Sequence, residues 1–299
     1  MQTLSDAQRT RWSTDGYLHL EGVLSAQEVN FFSAQLDSVR AQPGYEPSDL
    51  PRGHYGWLPH AADLNNDGFM DRRDLLGYDQ SFLELIDRPN VFDLIVDIMG
   101  PYILLSMTQA IVRPSTETFP GYTHTDGGEA LRFIRVTESS RPIAVKVMYL
   151  LSDVQGTDNG NLTVFPGSHM RPFPDTLESW PTPHSPGARQ LQGKAGDCYV
   201  FAHSLWHGPA PNRSGSGRGR KTILYNYCQL FARCYDFELT PQLAARCTPR
   251  QRRLLGDLGH EFRPGSYFYA PRDQVEMITG DSAGESLLAD TRVDSLQRA

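Results

Sequence analysis

The sequence lacks the features that would assign it to a membrane, a secretory route or a nucleic acid. No apolar run approaches the roughly 18 to 20 residues that cross a bilayer, and the first residues contain no hydrophobic signal stretch. Its 28 basic residues are outnumbered by 35 acidic ones, so no excess of positive charge indicates a nucleic-acid partner. One basic run, at 213–221, is better explained as a solvated flexible turn. We therefore expect a cytoplasmic protein with neither a nucleic-acid nor a membrane partner.

Cysteine is also scarce, and its spacing excludes common structural uses. Cys198, Cys228, Cys234 and Cys247 form no Cys-x-x-Cys pair and no zinc-binding pattern. They are predicted to be reduced thiols that pack in the interior, which agrees with a cytoplasmic location. The remaining composition, 39% hydrophobic and 21% charged, is that of an ordinary globular protein.

The first hundred residues are rich in helical patterns. Residues 25–41 begin with a Ser cap and carry apolar side chains at helical spacing, which predicts an amphipathic helix. Residues 79–100 predict two helical pieces, with a break near Pro89 and an end at Gly100. We expect this part, residues 1–100, to surround the core and to include a lid.

The residue pattern changes at residue 101, from helical to strand-like. From 101 to 235, β-branched and aromatic runs alternate with Gly, Pro, Asn and Asp, which predicts the short strands of a sandwich or closed barrel. Residues 236–299 return to a helical pattern and end in a polar tail. Because no linker divides the chain, we expect one domain over 1–299, mainly β with flanking helices.

An acidic stretch at residues 63–74, DLNNDGFMDRRD, resembles a calcium loop in spacing. Oxygen-bearing side chains alternate, and Gly68 stands at position six. Position twelve, however, is Asp74 rather than the usual bidentate Glu, and no second loop accompanies it. The alternative is an acidic surface turn that caps the next helix, since Asp and Asn favour local backbone bonds. We favour the turn, and a calcium-binding structural protein stays as an alternative class of function.

A stronger candidate for metal binding is the segment GYTHTDGG. His124 and Asp126 are two residues apart, so on an extended segment both side chains point to the same face. A later histidine would complete the 2-His-1-carboxylate set of non-haem Fe(II) oxygenases, which leaves coordination positions open. A His-x-Asp tripeptide alone is equally compatible with a hydrogen-bonded surface pair.

The segment AGDCYVFAHSLWHG offers two candidates for the third ligand. If His203 and His207 lie on one strand they share a face but are about 13 Å apart, so they cannot bind the same ion. His207 is preferred because a Gly-Pro turn follows it and can open its ring to a cavity. His203 is expected to pack in the interior.

A basic strand start, RKTI, follows the proposed ligand His207. Arg220 and Thr222 alternate onto one face of the predicted strand. A guanidinium fork beside a hydroxyl is suited to hold a small carboxylate with two hydrogen bonds. The distal carboxylate of 2-oxoglutarate is such a group.

Together these motifs resemble the phytanoyl-CoA dioxygenase family of Fe(II)- and 2-oxoglutarate-dependent oxygenases. DGYLHLEGVLSAQEVNFFSAQLD is similar to the opening strand and helix of the family, and HTD at 124–126 resembles its first metal motif. DNGNLTVFPGSH at 158–169 resembles its Asn-Gly strand, GDCYVFAHSLWHG its distal-histidine strand, and RKTI its cosubstrate-arginine strand. The likeness extends discontinuously from about residue 12 to about residue 230.

The resemblance implies a fold and a set of ligands. The fold is a double-stranded β-helix, a cupin-like jelly roll of two sheets. The implied iron ligands are His124, Asp126 and His207. The C5 carboxylate of 2-oxoglutarate is assigned to Arg220 with Thr222, and Arg218 is the rival at a more usual distance from the distal histidine.

The resemblance also implies the reaction and places the substrate. We expect an oxygenase that consumes O2 and 2-oxoglutarate, releases succinate and CO2, and hydroxylates a small or medium-sized metabolite. Desaturation and cyclisation are the variants, and a non-catalytic barrel that binds a metal or ligand is the alternative. Gln109 resembles a position that contacts the cosubstrate. Trp57, Arg132 and Arg135 fall where such enzymes place their lid and mouth, and they are the expected substrate contacts. The sequence does not indicate an oligomeric state.

Overall fold

The structure is a computed structural model that describes residues 1–41, 69–115, 121–127, 134, 140–215, 219–232, 234, 239–258 and 271–280. Its strands are β1 (Tyr17–Leu20), β2 (Met70–Arg73), β3 (Ile103–Arg113), β4 (Ala144–Leu150), β5 (Leu162–Val164), β6 (Arg189–Gln190), β7 (Cys198–Ala202), β8 (His207–Pro209) and β9 (Arg220–Gln229). Its α-helices are α1 (Asp6–Asp15), α2 (Ala26–Ala41), α3 (Phe92–Met99), α4 (Pro241–Ala244), α5 (Pro249–Leu254) and α6 (Arg272–Thr279). Short 3-10 helices cover Leu75–Gly77, Gln80–Leu85, Ser168–Met170 and Leu177–Ser179.

The strands form a large and a small antiparallel sheet. The large sheet has the order β1-β7-β4-β9-β3-β2, and the small sheet has the order β6-β5-β8. β5 pairs with both β6 and β8 in the small sheet. Both edge strands of the large sheet, β1 and β2, come from the N-terminal part of the chain. This arrangement is the jelly-roll core with flanking helices that the sequence predicts.

The central strands of the large sheet are buried on both faces, and their side chains alternate between two cores. On β4, Val145 and Val147 join the apolar cluster that contains the helices, whereas Met148 joins the cluster that contains β5. All seven residues of β4 are buried. Burial on both faces explains the unbroken apolar run of this segment. It also places Lys146 on the face toward the small sheet, because residues two apart share a face.

A β-bulge in β3 sets which of its side chains face the small sheet. The register with β9 shifts between Leu105 and Met107. As a result Leu105 packs on the helix side and Met107 on the opposite side, although the two are two residues apart. Gln109 and Arg113 follow the new phase, and both face the interior between the sheets. This bulge is not visible in the hydrophobic pattern of the sequence.

The helices cover the other face of the large sheet. Phe32 and Leu36 of α2 are buried in the same cluster as Phe82 and Tyr225. The Tyr225 hydroxyl donates to the Phe82 carbonyl at 2.6 Å, so a buried polar group is satisfied where helix layer and sheet meet. Among the described helices, none has the length and apolar character to span a bilayer.

The predicted helices are confirmed in outline. The helix expected over 25–41 is α2, and its first turn carries Glu28, which accepts from the Ser25 backbone. The two pieces expected over 79–100 are also present, but the first is a 3-10 helix, Gln80–Leu85, rather than an α-helix. The second is α3, which ends at Gly100 as predicted.

The acidic stretch differs from its prediction at its C-terminal end. Met70–Arg73 were expected to lie in a surface turn, but they form the edge strand β2, which pairs with β3. Met70 and Asp71 are buried. Local Asp and Asn preferences indicated a turn, whereas pairing with a neighbouring strand decides the conformation. Residues 63–68 lie outside the described residues.

The four cysteines carry no disulfide, in agreement with the prediction of reduced thiols. Cys198 and Cys228 are buried within the large sheet, and Cys234 and Cys247 are partly exposed. The fold is therefore held by its hydrophobic cores and its strand ladders.

Gly196 provides a test of the junction between β7 and the segment before α2. Its φ is +99°, and an added Cβ would lie 2.5 Å from the Leu24 carbonyl oxygen, which belongs to the segment that bonds back to Gly196. We predict that Gly196→Ala lowers the free energy of unfolding by about 1–3 kcal/mol more than Gly22→Ala. Gly22 is the matched control, since its φ is +61° and a Cβ added there would meet no atom within 4 Å. Urea unfolding of both variants measures the difference, and equal losses would contradict the prediction.

Candidate metal centre

A short antiparallel bridge joins His124 to His207. The His124 amide donates to the His207 carbonyl at 2.8 Å, and the His207 amide donates to the His124 carbonyl at 2.9 Å. The Asp126 amide donates to the His203 carbonyl at 2.9 Å. The segment around His124 therefore lies against β8 through an isolated bridge, and these hydrogen bonds tie its backbone to the edge of the small sheet.

This bridge brings the three predicted ligands together. One donor atom from each of His124, Asp126 and His207 lies within 4.8 Å of the other two. Among the described residues this is the group of histidine, cysteine and acidic side chains that is arranged to hold an ion. Two imidazoles and one carboxylate form the donor set that suits Fe(II) with open coordination positions.

Hydrogen bonds orient both imidazole rings. His124 Nδ1 lies 3.0 Å from the Tyr122 carbonyl oxygen, and His207 Nδ1 lies 2.8 Å from the Leu205 carbonyl oxygen. A carbonyl accepts only, so each Nδ1 carries the proton. The lone pair then resides on Nε2, the atom that each ring has left for a metal. Such backbone contacts fix the tautomer and orientation of metal-binding histidines.

The two carboxylate oxygens of Asp126 differ in their hydrogen bonds. Its Oδ1 accepts a hydrogen bond from Lys146 Nζ at 2.5 Å and lies 3.8 Å from His207 Nε2. Its Oδ2 is buried and has no hydrogen-bond partner in the described part of the chain. A buried carboxylate oxygen without a partner is costly unless a ligand completes it. The donor set therefore fits a divalent cation.

Burial and charge keep the triad in the protonation state that binds metal. Burial lowers the pKa of His207 to about 3 and also lowers the pKa of His124, so both rings are neutral at neutral pH. Burial alone would raise the pKa of Asp126, but the charge of Lys146 lowers it overall. The triad thus presents two neutral imidazoles and one carboxylate.

The placement of His203 corrects one sequence expectation. His203 and His207 were expected on one strand face, but β7 ends at Ala202 and His207 begins β8 in the other sheet. A turn at residues 203–206 separates the two strands. His203 is fully buried, as expected, with Nδ1 near the Ala144 backbone. Apolar residues continue through this turn, so the sequence pattern does not show that the chain passes from one sheet to the other.

A cavity of about 200 Å³ opens beside the triad, between the two sheets. Its apolar wall includes Phe69, Ile111, Met148, Leu162, Phe201 and Leu224. Its ionisable side chains, apart from the histidines and Tyr122, are Asp71, Arg73, Arg113, Asp126, Lys146 and Arg220. Four of these six are cationic and two are anionic, so the cavity has an excess of positive charge. Such a site favours an anionic ligand.

Two arginines occupy one end of the cavity. Arg113 of β3 and Arg220 of β9 are direct neighbours in the strand ladder, and both are buried. Arg220 donates to the carbonyl of Gly160. Burial, and next the charge of Arg113, lowers the pKa of Arg220, while burial lowers the pKa of Arg113 to about 10. A carboxylate bound at Arg220 would offset both effects.

Gln109 and Thr222 contact other parts of the protein. The Gln109 amide lines the cavity and donates to both oxygens of Asp71, at 2.8 and 2.7 Å. The Thr222 hydroxyl is buried and donates to the Ile111 carbonyl at 3.3 Å. Thr222 therefore supports the ladder beside Arg220, and Gln109 holds a carboxylate that belongs to the cavity wall.

Several predicted residues lie outside the described part of the chain. They are the three expected substrate contacts and the rival cosubstrate arginine: Trp57, Arg132, Arg135 and Arg218. Residues 63–68, the first half of the acidic stretch, also lie outside the described residues. Within its second half, Asp71 contacts Gln109 in the cavity.

Four ionisable residues of the cavity were not predicted from the sequence. Lys146 is the one charged residue in the apolar run of β4, and that isolation was a usable signal. Arg113 ends β3 without a distinctive pattern. Asp71 and Arg73 were assigned to a surface turn, and only the pairing of β2 with β3 brings them into the cavity.

An aromatic cluster extends from the triad toward the surface. Tyr122 lies 5.3 Å from the His124 ring and 5.5 Å from Trp180, measured between ring centroids. Phe173 then lies 5.3 Å from Trp180 and 5.5 Å from Trp206. Tyr122 is 42% exposed and also lines the cavity, so it marks the mouth of the site.

Comparisons with known proteins agree with this arrangement. The family model for phytanoyl-CoA dioxygenase matches residues 12–220. The dioxygenase cdmA of Talaromyces verruculosus is 23% identical over 256 residues, which cover 81% of this chain and 79% of cdmA.

Solved structures show the same fold. HygX of Streptomyces hygroscopicus, with nickel and 2-oxoglutarate bound, aligns with a TM-score of 0.59 and 19% identity over 78% of this chain and 90% of HygX. The epimerase SnoN, in complex with Fe3+, alpha-ketoglutarate and nogalamycin RO, aligns with a TM-score of 0.55 and 23% identity over 79% of this chain and 87% of SnoN. These likenesses confirm the double-stranded β-helix.

The neutral, buried state of His207 predicts how stability depends on pH without metal. Its folded pKa lies below the 6.5 of an unperturbed histidine, so the unfolded chain takes up this proton first. Stability from this source is lost as pH falls from 6.5 toward about 3, by up to about 1.4 kcal/mol per pH unit. In chelator-treated protein, His207→Gln should therefore show a shallower loss between pH 6.5 and 4.5.

Urea unfolding at several pH values measures these slopes. The window stays above the ordinary pKa of Asp126, 3.8, so protonation of that carboxylate contributes little. Gly187→Ala, which changes no titratable group and places a Cβ where no atom lies within 4 Å, is the control and should keep the wild-type slope. A His207→Gln slope equal to that of the wild type would contradict the account.

Proposed function

Because the chain belongs to the phytanoyl-CoA dioxygenase family, we propose that it hydroxylates a C–H bond of a small or medium-sized metabolite, using Fe(II), 2-oxoglutarate and O2. Membership of the family makes the protein an oxidoreductase of the Fe(II)- and 2-oxoglutarate-dependent class. The dioxygenase cdmA, a relative over most of the chain, is consistent with that class. Hydroxylation, and the size of the substrate, belong to our proposal.

The observation that carries the proposal is the triad of His124, Asp126 and His207. Its donor atoms converge on one point, its rings are oriented through Nδ1, and the Asp126 Oδ2 atom is buried and available. We assign these three residues as the iron ligands. When bound, iron and 2-oxoglutarate would supply the activation of O2 that converts R–H to R–OH, with succinate and CO2 as co-products.

Arg220 is our proposed contact for the distal carboxylate of 2-oxoglutarate. It lies in the same cavity as the triad, at the start of β9, and its guanidinium is buried. Gly160 approaches it closely: a Cβ there would lie 3.5 Å from Arg220 Cβ, and the Gly160 carbonyl accepts from the guanidinium. These contacts hold the side chain in one direction, which is what two-pronged recognition of a carboxylate requires.

The apolar wall and the aromatic mouth support an organic substrate that enters beside His124. Tyr122 and Trp180 offer flat apolar surface next to the triad, and the cavity wall beyond it includes Phe201 and Met148. HygX has been solved with hygromycin B and SnoN with nogalamycin RO. By analogy with these two proteins we propose a metabolite rather than a macromolecule as the substrate.

Turnover of 2-oxoglutarate tests the proposal. Fe(II)-loaded protein given 2-oxoglutarate and O2 should form succinate, and a matching substrate should raise the rate. We predict that His207→Ala and Asp126→Ala each reduce succinate formation by at least about a hundredfold, since each removes one of three metal ligands. Mass spectrometry of succinate measures the rate, and bound metal is quantified in parallel.

The control for this experiment is His184→Gln, which changes a histidine that pairs with Asp158 and does not line the cavity, and it should leave succinate formation unchanged. An inactive wild type, tested across a panel of metabolites, would support the alternative of a non-catalytic barrel. Undiminished succinate formation by His207→Ala would contradict the assignment of the ligands.

Arg220 gives a separate prediction about the cosubstrate. Replacing a buried guanidinium that pairs with a carboxylate costs about 2 kcal/mol or more, which corresponds to about a 30-fold change in affinity. Arg220→Gln should therefore raise the KM for 2-oxoglutarate by about 30-fold or more. Arg218→Gln and the surface variant Arg189→Gln should leave this KM close to the wild-type value. A larger effect of Arg218→Gln would reassign the cosubstrate arginine.

A further inference from the structure

Lys146 is a buried cation beside the proposed iron site, and it has no part in the ligand assignments above. We infer that Lys146 couples the binding of metal to the binding of 2-oxoglutarate: its ammonium opposes a metal ion bound alone, and the negative charge of the cosubstrate relieves that opposition. The inference rests on the proposed function and deepens it, because it states that the site binds the metal ion and 2-oxoglutarate together more tightly than it binds either one alone.

The position of Lys146 is set by the sheet and not by chance contact. It lies in the middle of β4, between its ladder partners Phe201 on β7 and Asn226 on β9. Its neighbours Val145 and Val147 face the helices, so its side chain must enter the interior between the sheets. There it lines the cavity with the triad, and its side chain is only 8% exposed.

The ammonium group contacts a proposed metal ligand directly. Lys146 Nζ lies 2.5 Å from Asp126 Oδ1, and that same oxygen lies 3.8 Å from His207 Nε2. Asp126 is the hydrogen-bond partner of Lys146 among the described residues. The cation therefore shares the single negative charge of the triad, and it stays next to the donor atoms that would surround an ion.

The charges at the centre do not balance when a divalent ion binds alone. The ion brings two positive charges and Lys146 one, whereas Asp126 supplies one negative charge and the histidines are neutral. Two positive charges then remain among side chains that are largely buried, where repulsion is strong. Arg73, Arg113 and Arg220 add to the excess, and Asp71 compensates only one of them.

A dianionic 2-oxo acid reduces this imbalance. It brings two negative charges into the cavity, one of which is assigned above to Arg220, so the excess of positive charge beside the triad falls. Since the repulsion is stronger without the cosubstrate than with it, metal and 2-oxoglutarate should each tighten the binding of the other by the same factor. Lys146 is a positioning and coupling residue in this account, and it donates no electrons to the metal.

The coupling is measurable without turnover. Mn(II), which does not consume 2-oxoglutarate, is titrated into metal-free protein by calorimetry, with and without saturating 2-oxoglutarate, and free Mn(II) is counted by electron paramagnetic resonance. In the wild type we expect 2-oxoglutarate to lower the Mn(II) Kd by at least tenfold. In Lys146→Met we expect Mn(II) alone to bind about tenfold tighter than in the wild type, and the effect of 2-oxoglutarate to shrink by at least fivefold.

Two further variants separate charge from structure. Lys146→Arg keeps the charge and should keep most of the coupling. Lys221→Met removes a lysine from β9 that pairs with Asp37 at 2.7 Å, away from the cavity, and should match the wild type in both titrations. If Lys146→Met fails to fold, as judged by circular dichroism and thermal unfolding, Lys146→Gln replaces it with the same expected result.

The outcomes distinguish this inference from the proposed function. A Lys146→Met protein that binds Mn(II) alone no more tightly than the wild type, and keeps the full effect of 2-oxoglutarate, would overturn the inference while the oxygenase assignment stands. A wild type that binds neither Mn(II) nor 2-oxoglutarate would overturn the proposed function and the inference with it. Loss of coupling in Lys146→Met but not in Lys146→Arg or Lys221→Met would support both.

Discussion

The pair of backbone hydrogen bonds between His124 and His207 is the contact on which the site depends. Each residue donates its amide to the other's carbonyl, so two segments more than eighty residues apart in sequence are held side by side by one isolated bridge. Since Asp126 also donates its amide to the His203 carbonyl, its carboxylate is delivered to the same point. Side-chain contacts then refine a geometry that the backbone has already set, and a site built on strands keeps its precision.

Burial of the large sheet on both faces gives the site its chemistry. One face packs against the helices and the other encloses the cavity, so charged side chains on the second face are removed from water. Lys146, Arg113 and Arg220 are buried there, and the desolvation of their charges is offset only in part by Asp71 and Asp126. The excess of buried positive charge lowers the stability of the fold and favours the binding of an anion. The buried charges that lower the stability of the fold thus lie where a dicarboxylate is expected to bind.

Local sequence patterns predicted the elements whose conformation depends on nearby residues. They failed for segments whose conformation depends on pairing with a distant strand. The helix α2, the strand β9 and the motif around His124 all carry their signal within a few residues. By contrast the residues of β2 predict a turn because Asp and Asn favour turns, and only pairing with β3 makes the segment a strand. The bulge beyond Leu105 and the switch of sheet after Ala202 are also set by long-range pairing. For this reason the three residues of the triad were predicted to lie together, whereas Asp71, Arg73 and Arg113 were not predicted to join them.

The central claim is that one metal ion is held by His124, Asp126 and His207 in the cavity that contains Arg220. Anomalous diffraction at the iron edge, from anaerobic crystals grown with Fe(II) and 2-oxoglutarate, tests it most directly. The account predicts a single strong peak bounded by the two histidine Nε2 atoms and the Asp126 carboxylate, with 2-oxoglutarate density reaching Arg220. A peak at residues 63–74 or elsewhere in place of the triad, or density for 2-oxoglutarate away from Arg220, would contradict it.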